Sequence, residues 1–188
     1  MVRLTSPFKH SPGARLTLDG WPSEIEAEEF LEEFIAATGL FEVYRQHNGR
    51  PVVQRHFQYP KAVRADLLLV PTSRLIHTGW SGGAIVIEVK RSGVKTGPGY
   101  SQLLDYLNSV WPVEGGIGVM PTFGFQFPVE NQGGPIASIM AQQHIGTAYI
   151  DFQGRLLLQC GESRVLTLCQ SGDFRIGTTN IGRRLGAR

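Results

Sequence analysis

The run Ala84-Ile85-Val86-Ile87-Glu88-Val89-Lys90 is apolar and β-branched except for two charges near its end. A strand turns alternate side chains to one face, so the Glu88 carboxylate and the Lys90 ammonium share a side, roughly 6.6 Å apart along the chain. Desolvating both charges in such a strand costs several kcal/mol each unless something compensates. A second carboxylate, Asp66, opens the apolar segment Ala65-Asp66-Leu67-Leu68-Leu69-Val70, 22 positions before Glu88. A neighbouring strand there would bring the two acids together. Like charges at that range repel and raise one pKa, and the pair is stable chiefly with a divalent cation between its members. Mg2+, or Mn2+ in its place, prefers oxygen ligands and keeps several waters, which suits Asp66, Glu88 and the Val89 carbonyl as a metal site. Such a site supports phosphodiester hydrolysis: the cation holds a phosphate oxygen and acidifies the attacking water, while Lys90 orients or deprotonates that water.

The elements that must position these groups are legible from periodicity and punctuation. Ser23 with Glu26 three residues on reads as a capping box, followed by an apolar helix face of Phe30, Leu31, Phe34 and Ile35 that ends at Gly39. Phe41 to Gln46 and Pro51 to Gln58 read as two strands joined at His47-Asn48-Gly49, since Asn-Gly is a strong hairpin signal. Asp66 to Val70 and Ala84 to Lys90 are predicted strands, followed by a helix from Tyr100 to Trp111 that Pro112 stops. Gly116 to Met120 is a further expected strand, Ile136 to Gln143 a short helix, and Thr147 to Phe152, Arg155 to Cys160 and Arg164 to Leu168 the last strands. Phe123, Phe125 and Phe127 alternate as on a strand edge and are expected to pack in the core rather than stack on bases.

Asp66 followed by Glu88-Val89-Lys90 resembles the Asp…(Asp/Glu)-x-Lys core of the PD-(D/E)XK nucleases, which include restriction enzymes, repair and recombination nucleases, and defence or phage proteins. Glu28-Glu29-Phe30-Leu31…Phe34-Ile35…Gly39 looks like the first helix of archaeal Holliday-junction resolvases, with Glu28 matching an acid that supports the metal. Gln102 and Tyr106 look like the Gln-x-x-x-Tyr motif of RecB-type nucleases, and at i and i+4 they share a helix stripe. The resemblance covers residues 23 to 111. It implies an α/β fold with a restriction-endonuclease-like core, a mixed central β-sheet flanked by helices. It also implies a Mg2+-dependent deoxyribonuclease whose catalytic set is Asp66, Glu88, Lys90, Glu28, Gln102 and Tyr106. Ala65 stands where that family often has Pro, a departure that touches no catalytic atom. Two cysteines exclude its four-cysteine iron–sulfur subtype.

A length of 188 residues suits one domain, divided here into an irregular arm (1–22), a catalytic core (23–123), a C-terminal helix and strands (124–170) and a basic tail (171–188). A net charge of +2 makes the whole molecule no strong polyanion binder. Nucleic-acid contacts are therefore expected from local cations: Arg45, Arg55, Arg64, Arg91 and Lys95, the last two in a glycine-containing loop. Cys160 and Cys169 fall out of register for a disulfide, which points to a reducing cytosol. No apolar run approaches a membrane span, and the first residues lack the apolar core of a signal peptide. The expected partner is DNA, cut endonucleolytically by a homodimer in the cytoplasm. The alternatives are an RNA-directed nuclease, or a non-catalytic nucleic-acid-binding or structural module on the same fold.

Overall fold

The computed structural model describes residues 23–52, 62–90, 96–129 and 134–177. Ser23 opens helix α1 (Glu24–Thr38) with an extended backbone, and its Oγ accepts the Glu26 N–H at 3.2 Å, satisfying a donor that the first turn leaves open. Gly39 closes the helix at φ 64°, a left-handed conformation that glycine adopts without strain, and its N–H donates to the Ala36 carbonyl. Between these caps Ala27, Leu31, Phe34 and Ile35 recur at helical spacing and are buried.

The chain continues through β1 (Phe41–Pro51), β2 (Val63–Pro71), a short α2 (Ser73–His77), β3 (Ala84–Val89), α3 (Thr96–Leu107), β4 (Ser109–Pro112) and β5 (Gly118–Val119). It ends with β6 (Pro121–Phe127), α4 (Gly134–Gln142), β7 (Ile145–Ile150), β8 (Leu156–Cys160), β9 (Ser163–Leu168) and β10 (Phe174–Ile176). The strands form one mixed sheet in the order β10-β9-β8-β7-β6-β3-β2-β1-β4-β5. Strands β1, β2 and β3 are antiparallel neighbours, whereas β3, β6 and β7 run parallel, with α3 and α4 in the connections between them.

Period-two alternation sorts the side chains to the two faces of this sheet. Leu67, Leu69, Ile85, Ile87, Phe123, Phe125 and Phe127 pack with the apolar stripe of α1. Leu68, Ala84 and Val86 pack on the other side with Leu103 and Tyr106 of α3 and with Trp111. Glu88, two residues beyond Val86, therefore lies on the α3 side. The architecture is the expected mixed α/β, a large sheet with helices on its faces. Among the described residues no helix is long and apolar enough to cross a membrane.

Several expectations need correction. His47-Asn48-Gly49 is not a turn: β1 runs straight through it, with Asn48 opposite Arg64 and Gly49 opposite Val63 on β2. Gly49 is there because Trp111 covers it, and a Cβ would come within 2.7 Å of the indole ring. The second strand expected there, up to Gln58, lies mostly outside the described residues, as does the irregular arm expected over 1–22. Helix α3 starts before Tyr100 and stops at Leu107, not Trp111. The side chains of Asn108 and Ser109 bond back to the carbonyls of Leu104 and Asp105, and the backbone then leaves as β4 to pair with β1. The strand expected at Gly116 to Met120 shrinks to β5, while α2 and β10 were not anticipated. The boundary drawn between residues 123 and 124 falls inside β6, an interior strand. Its three phenylalanines are core residues, as expected. Both cysteines are free.

Candidate active site

Ladder pairing between β2 and β3 runs from Leu69–Ile85 to Leu67–Ile87. One step further the Asp66 side chain takes the place of the backbone: its Oδ2 accepts the Val89 N–H at 2.7 Å. Asp66 and Glu88 thus meet where the two strands end their pairing, on the side of the sheet that α3 covers. Burial, then the neighbouring Glu88 charge, pushes the Asp66 carboxyl up to about 6, against the opposing pull of the Val89 N–H and Lys90.

Glu88 is 2% exposed, and each of its oxygens has a partner. Oε1 pairs with the Lys90 ammonium, and Oε2 lies 2.8 Å from the Tyr106 hydroxyl on α3. That hydroxyl has one proton and two acceptors, the second being the Arg64 carbonyl at 2.7 Å, so Tyr106 ties α3 both to β2 and to the carboxylate. Burial and the Glu88 charge push its phenol up, which keeps it a neutral donor.

A second chain of contacts reaches the site from the other side of the sheet. Gln46 on β1 sits at φ 49°, uncommon outside glycine, at a position that the β1–β2 ladder skips. Its Nε2 donates to Glu28 Oε2 at 2.6 Å and, over a longer 3.3 Å, to Asp66 Oδ1. Glu28 is 6% exposed. Burial raises its pKa, the Gln46 hydrogen bond works against that, and the Asp66 charge adds to it.

Five of the expected residues, Glu28, Asp66, Glu88, Lys90 and Tyr106, are therefore linked through shared contacts. Gln102 lies one turn before Tyr106, half-buried, and no hydrogen bond joins it to the carboxylates among the described residues. Val89 serves Asp66 through its N–H. Arg45 is paired with Glu29 at 3.1 Å and Glu32 at 3.4 Å on α1, and Arg64 is exposed while its carbonyl holds Tyr106. Arg55, Arg91 and Lys95 lie outside the described residues. Gln46 was not anticipated, because a glutamine in a polar strand carries no signal until its left-handed backbone and its two carboxylate partners are seen.

The donor set available to a cation is the Asp66–Glu88 pair; no group of three His, Cys, Asp or Glu side chains suited to a metal occurs among the described residues. Two carboxylates with one nearby ammonium leave a net negative charge in a largely buried place, which a hard dication would neutralise. No family model, curated protein or solved structure matches the chain.

Proposed function

We propose that this chain is a Mg2+- or Mn2+-dependent nuclease of the PD-(D/E)XK type that hydrolyses the phosphodiester bonds of DNA endonucleolytically. The observation that carries the reading is the convergence of Asp66 and Glu88, on neighbouring strands, with Lys90 against Glu88. The order α1, antiparallel β1–β2–β3, α3 and parallel β6 supports a restriction-endonuclease-like core.

Asp66 and Glu88 would hold the cation, which supplies a grip on a non-bridging phosphate oxygen and lowers the pKa of a water. The chain's own groups do the rest. Lys90 orients that water and offsets the charge that develops on phosphorus. Tyr106 fixes the Glu88 carboxylate from α3, and the Glu28–Gln46 pair fixes Asp66 from α1 and β1. Arg64 stands exposed beside the site, suited to a phosphate of the backbone. Action on duplex DNA favours a homodimer, and two free cysteines agree with a cytoplasmic setting.

The test is incubation with supercoiled circles, linear duplex and single-stranded DNA, and RNA, each with Mg2+ or Mn2+. Loss of circles establishes endonucleolytic action, and RNA cleavage without DNA cleavage would move the substrate to RNA. Lys90→Ala is expected to slow cleavage by several powers of ten, each worth about 1.36 kcal/mol, while DNA binding survives. Unchanged cleavage by that variant would refute the assignment.

A further inference from the structure

We propose that Gln126 is a further residue of this site, an outer hydrogen-bond acceptor for water carried by the cation that Asp66 and Glu88 hold; the proposal rests on the nuclease reading above. Three buried side-chain atoms lack a hydrogen-bond partner among the described residues: Gln126 Oε1, Thr147 Oγ1 and Thr167 Oγ1. Two of the three adjoin. In the parallel part of the sheet Gln126 on β6 is the register partner of Glu88 on β3 and, on its other side, of Thr147 on β7. Thr167 is on β9, three strands from β6.

Alternation fixes where Gln126 points. Phe125 and Phe127 pack on the α1 side, so Gln126 between them turns to the α3 side, where Glu88 lies. It is 1% exposed and tightly enclosed: a Cβ placed on Gly99, in the first turns of α3, would sit 2.7 Å from Gln126 Oε1 and 2.9 Å from its Cδ. A longer residue at position 99 would displace the amide, so glycine lets the α3 backbone settle directly on it. The amide is thus held in place while its oxygen has no partner among the described residues.

An unpaired buried acceptor weakens the fold, and natural proteins carry few of them. Glu88 cannot satisfy it, being an acceptor whose own oxygens face Lys90 and Tyr106. What the amide oxygen requires is a strong donor, and among the described residues none bonds to it. Mg2+ keeps several of its waters when bound by one or two carboxylates, and the cation's charge makes those waters strong donors that need acceptors around the site. A neutral carbonyl oxygen one strand from Glu88 meets that need without adding a third negative charge. Thr147, whose hydroxyl can both donate and accept, extends the same polar row to β7.

The test combines thermal unfolding with and without Mn2+ and calorimetric Mn2+ titration of the full chain. Gln126→Met keeps the shape and removes the polar group, so its metal-free midpoint should rise by about 2–4 °C. Its Mn2+ affinity should fall by about tenfold or more. Gln126→Glu offers only acceptors beside two other acids, so its metal-free midpoint should fall while its Mn2+ affinity equals or exceeds that of the unmodified chain. A purely structural glutamine would give lower midpoints in both variants and unaltered affinity in both, and that result overturns the proposal. Should Gln126→Met fail to fold, Gln126→Leu takes its place in both measurements, with the same expected loss of Mn2+ affinity, and an unaltered affinity in it counts against the proposal. If the unmodified chain binds no Mn2+, the nuclease reading falls and this proposal with it; if it binds Mn2+ and both variants bind equally well, only the role of Gln126 falls.

Discussion

Asp66 carries a carboxyl held up to about 6 by burial and by Glu88, from an ordinary value of 3.8. A folded pKa above the unfolded one means that the native state holds the proton more tightly. This group's contribution to stability is therefore fully present below about pH 4 and is lost as pH rises through about 6. Asp66→Asn, which stays neutral, should gain on the unmodified metal-free chain as pH is raised from 4 to 8, as read from the difference in thermal midpoints. A difference that stays flat with pH would show that Asp66 is not held in this way. A proton competes with a cation for the same oxygens, so Mn2+ affinity in the unmodified chain should also weaken as pH falls below about 6. Glu88, Lys90 and Asp66 are legible in the sequence because acids and a lysine in apolar strands demand an explanation. Gln46 and Gln126 are not, because an amide draws attention only once its neighbours are known. The place of Gln126 between Phe125 and Phe127 was the available hint, a polar side chain sent to the face of the sheet opposite the aromatic one.

At the scale of elements, local signals served where local forces decide. The Ser23 cap and the Gly39 stop of α1 depend on bonds within a few residues, and both are where the sequence put them. The Asn48-Gly49 pair shows the opposite case. Its turn preference is worth less than the ladder to β2 and the packing of Trp111 over Gly49. The site depends on that outcome, since the same unbroken β1 carries Gln46 to Asp66 and Glu28. Gly49→Val should thus be destabilising, by about 1–3 kcal/mol in urea denaturation, because a side chain at that position collides with a buried indole. A Gly49→Val chain as stable as the original would show that Trp111 moves aside freely and that the glycine has no packing role. The early end of α3 follows the same rule: Asn108 and Ser109 cap the last carbonyls, and β4 gains a partner in β1.

For the whole molecule, the least legible feature was the parallel addition of β6 and β7 to the β1–β3 meander. Strand neighbours far apart in sequence leave no local mark, and an alternating Phe pattern fits an edge strand as well as an interior one. That addition completes the surroundings of the site, with Glu88 at the junction between the antiparallel and parallel parts and both faces of the sheet covered by helices. With a net charge of only +2, the attraction to a polyanion that the proposed activity requires would come from cations near this junction and from neutralisation of the carboxylates by the proposed metal. The most direct measurement is an anomalous-scattering map from crystals of the chain grown with Mn2+. The account predicts one strong peak bridging the carboxylates of Asp66 and Glu88, about 2.0–2.3 Å from an oxygen of each, and its disappearance in crystals of Asp66→Asn. A map with no peak there at saturating Mn2+, or a peak that persists unchanged in the variant, would contradict it.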